Sequence, residues 1–202
     1  MKLYYSPGAG SLTPHIALHE AGLAFEHVLA STKTHKLEDG TDYYSINPLG
    51  YVPLLALDDG TRLTEIPAIV QYIADQAPAK KLAPANGTLA RYQMQSLLNF
   101  IGTELHKGFG PLFNPDTPTD YKAQASKRLL GRLEWIDGQL AGKQYLMGDP
   151  YTVADGYLFN VTNWARLVKV DISHLANLAA FRARVAARPA VQAAMKHEGL
   201  LK

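Results

Sequence analysis

The chain has 202 residues, 47% of them hydrophobic and 19% charged, which is the composition of a globular protein. Its formal charge of +2 comes from scattered lysines and arginines, and this argues against nucleic acid as a partner. The absence of cysteine excludes disulfides, thiolate metal sites and a protein thiol as nucleophile. No apolar signal region follows Met1 and no apolar stretch of about 18 residues occurs, so we expect a cytoplasmic protein that does not enter a membrane.

The start of the chain alternates between strand and helix patterns. Lys2 to Tyr5 predicts a short strand, and the apolar spacing from Leu12 to Ala21 predicts a helix that Gly22 ends. Phe25 to Leu29 predicts a second strand. Because a helix connects the two strands, they are expected to pair in parallel.

A hairpin and a helix are predicted next. Pro53 to Leu57 and Arg62 to Leu63 flank Asp-Asp-Gly, a turn sequence typical of a hairpin. Apolar residues then recur at steps of three and four from Ile66 to Ala77, which predicts a helix. An α/β domain is therefore expected over residues 1–77.

The rest of the chain is predicted to be helical. Residues 78–87 carry prolines, a glycine and a lysine pair and are interpreted as a linker, which leaves 88–202 as an all-α domain. Helices are predicted over Leu89–Leu105 and Ala125–Leu140, with a breaker-rich connection at residues 108–118 between them. Thr152 and Asp155 resemble a capping box at the head of the next helix, and two more helices are split at Arg188-Pro189.

Two glycines mark a candidate anion site after the first strand. Gly8 and Gly10 lie between a strand and a helix, but Thr13 replaces the third glycine of a dinucleotide fingerprint. A tight turn is the simpler interpretation.

Two further pairs of side chains have competing interpretations. His15 and His19 are spaced i, i+4, but no third ligand is evident, so we interpret them as surface histidines and predict no metal site. His106 and Lys107 present a basic pair to an anion, unless they are a solvated helix end where Lys107 offsets the helix dipole.

The segment Asn47 to Pro53 and the helix after the hairpin suggest a site for a small peptide. Val52-Pro53 is expected to be trans by default, but a cis bond would leave the Val52 N–H and C=O free to pair with a peptide. The first turn after Glu65 has free amides for a carboxylate, and Glu65 itself suits an amino group.

Several stretches together resemble the glutathione transferases, specifically the bacterial beta class. The resemblance runs from Met1 to about Leu200 and rests on M-K-L-Y-Y-S-P-G-A-G-S-L-T-P-H-I, I-N-P-L-G-Y-V-P, L-T-E-I-P-A-I-V-Q-Y-I-A-D, N-F-I-G-T-E-L-H-K-G-F and T-V-A-D-G-Y-L-F. It implies a thioredoxin-like domain followed by an all-α domain, a homodimer, and a role in detoxification. The implied reaction joins glutathione, as co-substrate, to a small hydrophobic electrophile, without a metal.

This sequence departs from the class at three positions. The class typically has a cysteine where this chain has Gly10, so thiol exchange is expected to be absent. Conjugation does not need that cysteine, because the attacking sulfur belongs to glutathione. Ile66 stands where the class usually has serine or glycine, so its backbone amide can still bind a carboxylate but any hydroxyl contact is lost. His35 stands where the class often has lysine, so one charge contact to glutathione is expected to be weaker.

The candidate residues fall into three groups. The glutathione thiolate is expected to be stabilised by Gly10, by Ser11, and by His106 with Lys107, and Tyr5 is a rival to Ser11 whose direction the strand pattern leaves open. Glutathione contacts are assigned to Ala9, His35, Val52, Pro53, Glu65, Ile66, Asn99 and Glu104, and the co-substrate pocket to Phe109, Phe113 and Trp164.

Two other functions stay open beside the conjugating enzyme. One is a protein on the same fold that binds glutathione or apolar ligands without turnover. The other is an interaction protein, which predicts no glutathione binding at all.

Overall fold

The computed structural model describes residues 1–201, which divide into two compact units. The first unit contains Met1–Leu82 together with the segment that begins at Arg188, and the second is Ala83–Ala187. The division differs from the predicted domains at the C-terminal end, because the last helix is part of the first unit.

The described residues contain four strands and eight α-helices, which we number in chain order. The strands are β1 (Lys2–Tyr5), β2 (Glu26–Leu29), β3 (Leu54–Ala56) and β4 (Arg62–Leu63). The helices are α1 (Leu12–Ala21), α2 (Ile66–Gln76), α3 (Leu89–Phe100), α4 (Lys107–Phe113), α5 (Thr119–Leu140), α6 (Val153–Asn163), α7 (Ala176–Ala186) and α8 (Pro189–His197). A π-helical segment, Ile101–His106, joins α3 to α4, and short 3-10 turns lie at Tyr43–Ser45, Pro78–Lys80 and Trp164–Arg166.

The first unit is built on a mixed sheet in the order β2-β1-β3-β4. The predicted parallel pairing of β1 with β2 is confirmed, with Lys2 opposite Glu26. The predicted hairpin is also confirmed, since β3 and β4 pair antiparallel with Leu55 opposite Leu63. Gly22 ends α1 in the left-handed conformation, with φ of 68°, as its position in the sequence predicts.

The interior of the first unit is formed by the sheet and the helices packed around it. Leu3 and Leu55 are fully buried on the strands, as are Ile16 on α1 and Ile69 and Ile73 on α2. α8 packs on α1, and Arg188 at its start forms a bidentate ion pair with Glu20 at 2.5 and 2.8 Å. The last helix, α8, is therefore part of the same packed unit as β1 and α1.

The second unit corrects one sequence prediction. The breaker-rich connection was expected from residue 108, but helix α4 continues to Phe113 with Pro111 inside it. Phe109 is fully buried, and the apolar contacts of α4 with α5 outweigh the poor helix propensity of glycine and proline. The predicted capping box of α6 is confirmed, with the Thr152 N–H 2.7 Å from Asp155 Oδ2.

A separate observation concerns membranes. Within residues 1–201, no helix combines the length and the apolar character needed to cross a bilayer.

Candidate functional site

The turn between β1 and α1 is the centre of the candidate site. Ala9 donates its N–H to the Ser6 carbonyl at 3.0 Å, and Gly8 has φ of 71°, a conformation that favours glycine. The Ser11 hydroxyl accepts the Ser6 N–H at 3.0 Å and donates to the Ser6 carbonyl at 3.2 Å. The backbone from Ser6 to Ser11 is thereby closed into a compact loop at the N-terminus of α1.

This arrangement changes the role expected for Ser11. Its side chain is fully buried, and its hydroxyl proton is already engaged with Ser6. The hydroxyl therefore shapes the turn and is not directed at a ligand. The Ser11 N–H has no acceptor within residues 1–201, so the backbone is the part of Ser11 that is left to bind one.

Tyr5 is the residue whose direction the sequence left open. It is buried on the same side of β1 as Leu3, and its hydroxyl lies 3.4 Å from Nε2 of His197 on α8. Burial raises the pKa of Tyr5, and the nearby Glu198 raises it further. Tyr5 therefore faces the α8 side of the sheet, and it holds its proton more tightly than a free tyrosine does.

Glu198 stabilises the turn through a hydrogen bond, and sequence reasoning missed this residue. One carboxylate oxygen accepts the Gly8 N–H at 2.8 Å, and the other lies 2.7 Å from Nδ1 of His15. Burial raises the pKa of Glu198 to about 7, against the effect of the Gly8 hydrogen bond. No local signal in the sequence points to this residue, because its partners lie 190 and 183 positions earlier.

The second part of the candidate site is the segment before β3. The Val52-Pro53 bond is cis, and the Tyr51 carbonyl is fixed by the Tyr43 hydroxyl at 2.9 Å and by the Asn47 amide at 2.7 Å. The N–H and C=O of Val52 make no hydrogen bond within the described part of the chain. They are therefore available to an extended ligand.

The start of α2 offers a third group of polar atoms. Glu65 has an exposed side chain and a φ of 65°, and its carbonyl accepts the N–H groups of Ala68 and Ile69, each at 3.0 Å. Ile66 buries its side chain, so only its backbone is offered to a ligand, as predicted. Pro67 lies in the first helical turn.

His35 packs against the loop that leads to Val52. Its ring lies on Tyr44 with centroids 4.6 Å apart, and its backbone φ is 52°. Its Nδ1 is buried and has no hydrogen-bond partner among residues 1–201. An unpaired polar atom is therefore available at this position, in a side chain without the permanent charge of a lysine.

In the second unit, the three residues predicted to line the co-substrate pocket come together. Trp164 contacts Phe109 and Phe113 edge to face, with centroids 5.7 and 5.9 Å apart. His106 adds its ring to Trp164 at 4.7 Å, and its Nδ1 lies 2.8 Å from the Tyr157 hydroxyl. The result is an aromatic cluster with one polar member.

His106 and Lys107 do not form the predicted basic pair. Burial lowers the pKa of His106 to about 4, and the charge of Lys107 lowers it further. His106 is therefore neutral at physiological pH, and Lys107 carries the only charge of the two.

Glu104 and Asn99 were also predicted to contact the ligand. Glu104 accepts hydrogen bonds from Arg132 at 2.8 Å and Arg128 at 3.3 Å, which hold its pKa below the usual range. Asn99 is exposed on α3, and its carbonyl accepts the Thr103 hydroxyl at 3.0 Å. Glu104 is thus already paired with two cations of α5.

The expectation of surface histidines on α1 is wrong for His15. Its side chain is fully buried, and it meets His27 of β2 as well as His19. Sequence reasoning found no third histidine nearby because His27 is brought close only by the packing of the strand and the helix.

Comparison with known proteins finds similar proteins over almost the whole chain. Two family models match, the glutathione S-transferase N-terminal domain over residues 11–76 and the glutathione S-transferase C-terminal domain over residues 100–189. Glutathione S-transferase GstA of Escherichia coli O157:H7 is 46% identical over 200 residues, which cover 99% of this chain and 100% of the relative.

Two solved structures are similar over the same length. One is a sphingomonad glutathione S-transferase complexed with glutathione, 48% identical, with a TM-score of 0.95 over 99% of this chain and 100% of that one. The other is a bacterial beta class glutathione S-transferase of Sphingomonas chungbukensis, 48% identical, with a TM-score of 0.96 over 100% of both chains. With a mixed α/β unit, a helical unit and matches that span both, this chain belongs to the glutathione S-transferase family.

Proposed function

We propose that this protein is a glutathione S-transferase that joins the sulfur of glutathione to small apolar electrophiles. The observation that carries the proposal is the match over nearly the whole chain to glutathione S-transferases, one of them in complex with glutathione. The first unit supports it, because Val52 offers an unpaired backbone edge and α2 begins with polar groups suited to an amine and a carboxylate. Glutathione is a peptide with these features.

The chemistry does not need a protein thiol, because the reacting sulfur arrives with glutathione. Lowering a thiol pKa from about 8.5 by two units requires about 2.7 kcal/mol of preferential stabilisation of the anion. A helix N-terminus supplies up to about 2 kcal/mol, and a hydrogen bond to a charged atom adds about 1.5 to 3 kcal/mol. The N–H groups of Gly10 and Ser11 at the head of α1 are our candidates for both contributions.

The aromatic cluster of the second unit supports an apolar co-substrate. Phe113 is about half exposed and packs on the buried rings of Phe109 and Trp164, and burial keeps the neighbouring His106 uncharged at neutral pH. We assign Lys107 as the remaining positive group near this cluster. The glutathione contacts of Ala9, Pro53, His35, Asn99 and Glu104 stay predictions.

Assembly and location are also part of the proposal. We propose a homodimer, which is supported by two exposed apolar residues on α3, Leu89 at 74% and Tyr92 at 59% exposure. Sedimentation of the purified chain tests this directly. A cytoplasmic location and a role in detoxification stay predictions from the family resemblance.

The decisive test is an ultraviolet difference titration of glutathione with the purified protein. A thiolate band that appears well below the pKa of free glutathione, together with conjugation of a chloronitroarene, is the expected result. If glutathione binds but its sulfur titrates as in free solution, the protein is a binding protein without turnover. If no glutathione binds, both functions are wrong.

A Gly10→Cys variant checks where the sulfur lies. If position 10 faces the bound sulfur, the variant gains a mixed disulfide with glutathione under oxidising conditions, visible as an added mass. The parent chain, which has no cysteine, is the matched control. A variant that binds glutathione but forms no adduct contradicts this placement.

A further inference from the structure

Four histidines of the first unit lie together in a cluster. His15 and His19 come from α1, His27 from β2 and His197 from the end of α8. The rings of His15 and His27 have centroids 4.7 Å apart, and those of His27 and His197 stack at 3.8 Å. Helices α1 and α8 and strand β2, which are separate in the sequence, thus bring four imidazole rings together.

Three of these side chains have the spacing of a metal-binding group. One nitrogen from each of His15, His19 and His27 lies within 4.8 Å of the other two. Zinc binds imidazole nitrogens at about 2.0–2.1 Å, which places the nitrogens of a tetrahedral site roughly 3.4 Å apart. His19 and His27 are only partly buried, so their side chains have room to make the small rotation that this requires.

The hydrogen bonds of the cluster leave nitrogen atoms directed at its centre. Nε2 of His27 lies 2.9 Å from Nε2 of His15, so one of these two atoms is without a proton. Nε2 of His19 is buried and has no hydrogen-bond partner among residues 1–201. Buried polar atoms rarely stay unpaired, so this nitrogen itself indicates a missing partner.

Glu198 completes the arrangement from the outer side. Its carboxylate lies 2.7 Å from Nδ1 of His15, while Nε2 of the same ring contacts His27. Metal-bound histidines usually donate their second ring N–H to a carboxylate, which fixes the tautomer and turns the other nitrogen towards the ion. His15 and Glu198 have this relationship already.

We propose that His15, His19 and His27 form a binding site for one zinc ion, with Glu198 as the carboxylate that positions His15. Three imidazole ligands leave the fourth tetrahedral position for water. The ion would join α1 to β2 and is not a participant in the conjugation reaction. It occupies a place behind the Gly8 turn, since Glu198 contacts both His15 and Gly8.

The test uses the untagged, full-length protein after treatment with a chelator. Zn²⁺ is titrated in competition with a chromogenic chelator, and Co²⁺ is titrated as a spectroscopic substitute. We expect one ion per chain, visible Co²⁺ bands of tetrahedral intensity, and a rise in the thermal midpoint with Zn²⁺.

Variants locate the ion. His19→Gln and His27→Gln each remove one ligand and should abolish measurable binding, while Glu198→Gln should weaken it by about 10- to 100-fold. The matched control is His174→Gln, because His174 is about half exposed at 52% and lies in the second unit. It should bind as the parent does.

Several results would overturn the proposal. They are a parent chain that binds no zinc, unweakened binding in either His19→Gln or His27→Gln, or equal loss of binding in His174→Gln. Circular dichroism confirms that each variant is folded. Two ligand variants are used because loss of binding in only one of them could come from a folding defect. His15 is not substituted because its side chain is fully buried.

Discussion

His106 illustrates how burial, together with a neighbouring positive charge, sets the charge of a residue. Its ring lies against Trp164 and its Nδ1 meets the Tyr157 hydroxyl at 2.8 Å. Because the buried ring is poorly solvated when charged, its pKa falls to about 4 from the ordinary 6.5. The side chain is therefore a polar, neutral member of the aromatic cluster.

The lowered pKa of His106 predicts a pH dependence of stability. Between pH 6.5 and about 4, the unfolded chain binds a proton at His106 that the folded chain does not bind, so stability falls as the pH falls through this range. The full effect is about 3 kcal/mol for a shift of this size. His106→Asn removes this contribution, and so the variant should lose less stability than the parent between pH 7 and pH 4.5.

Urea unfolding at the two pH values measures this difference. Asparagine keeps a polar atom near the position of Nδ1, which limits the change at pH 7. Other buried histidines lower the stability of both proteins in acid, and so the comparison of parent with variant isolates His106. Equal losses in the two proteins would show that His106 is not held neutral.

At the scale of elements, Asp155 connects a helix terminus to a neighbouring loop. It is fully buried, and its carboxylate accepts the N–H of Leu146 at 2.8 Å, the N–H of Thr152 at 2.7 Å and the Thr152 hydroxyl at 3.0 Å. The capping box thus fixes the start of α6 and the preceding segment together.

Asp155→Ala should be strongly destabilising. It leaves the N–H groups of Leu146 and Thr152 buried without these acceptors, and we expect a loss of about 2 to 4 kcal/mol in the free energy of unfolding. Urea denaturation at pH 7 measures the loss. The control is Asp116→Ala, at an exposed position outside any α-helix, and an equal loss in the two variants would contradict the capping role.

The helices and strands show which sequence patterns are sufficient to predict local structure. The α1 terminator Gly22, the β3–β4 hairpin and the Thr152–Asp155 box are local patterns, and each is confirmed. The helix through Pro111 was missed because packing of Phe109 overrides local propensity. Likewise, the side of β1 that Tyr5 occupies depends on which face of the sheet is covered, which a strand of four residues does not reveal.

At the scale of the whole molecule, sequence reasoning missed the contacts that the C-terminal segment makes with the candidate site. Glu198 supports the turn at Gly8, yet 190 positions separate the two residues. His27 and His197 meet across a similar distance in the chain, with stacked rings. These contacts form only because the segment that begins at Arg188 folds onto the first unit. No local periodicity or motif in the sequence indicates them.

This closure predicts that the first unit is unstable without the last helix. A chain that ends at Ala187 lacks the Arg188 partner of Glu20 and the Glu198 partner of both Gly8 and His15. It also exposes the apolar surface of α1 that α8 covers. These losses together approach the whole stability of a typical domain, about 5 to 15 kcal/mol, so the first unit should be largely unfolded in the truncated protein at 25 °C.

Limited proteolysis with mass spectrometry measures this by the position of the cuts. We expect rapid cleavage within residues 1–82 of the truncated chain, because an unfolded segment fits a protease and a folded one does not. A chain that ends at Gly199 keeps Glu198 and all of α8, and it should resist cleavage as the parent does. If the chain that ends at Ala187 is equally resistant in its first 82 residues, that unit folds without α8 and the buried contacts of Glu198 are not needed for its stability.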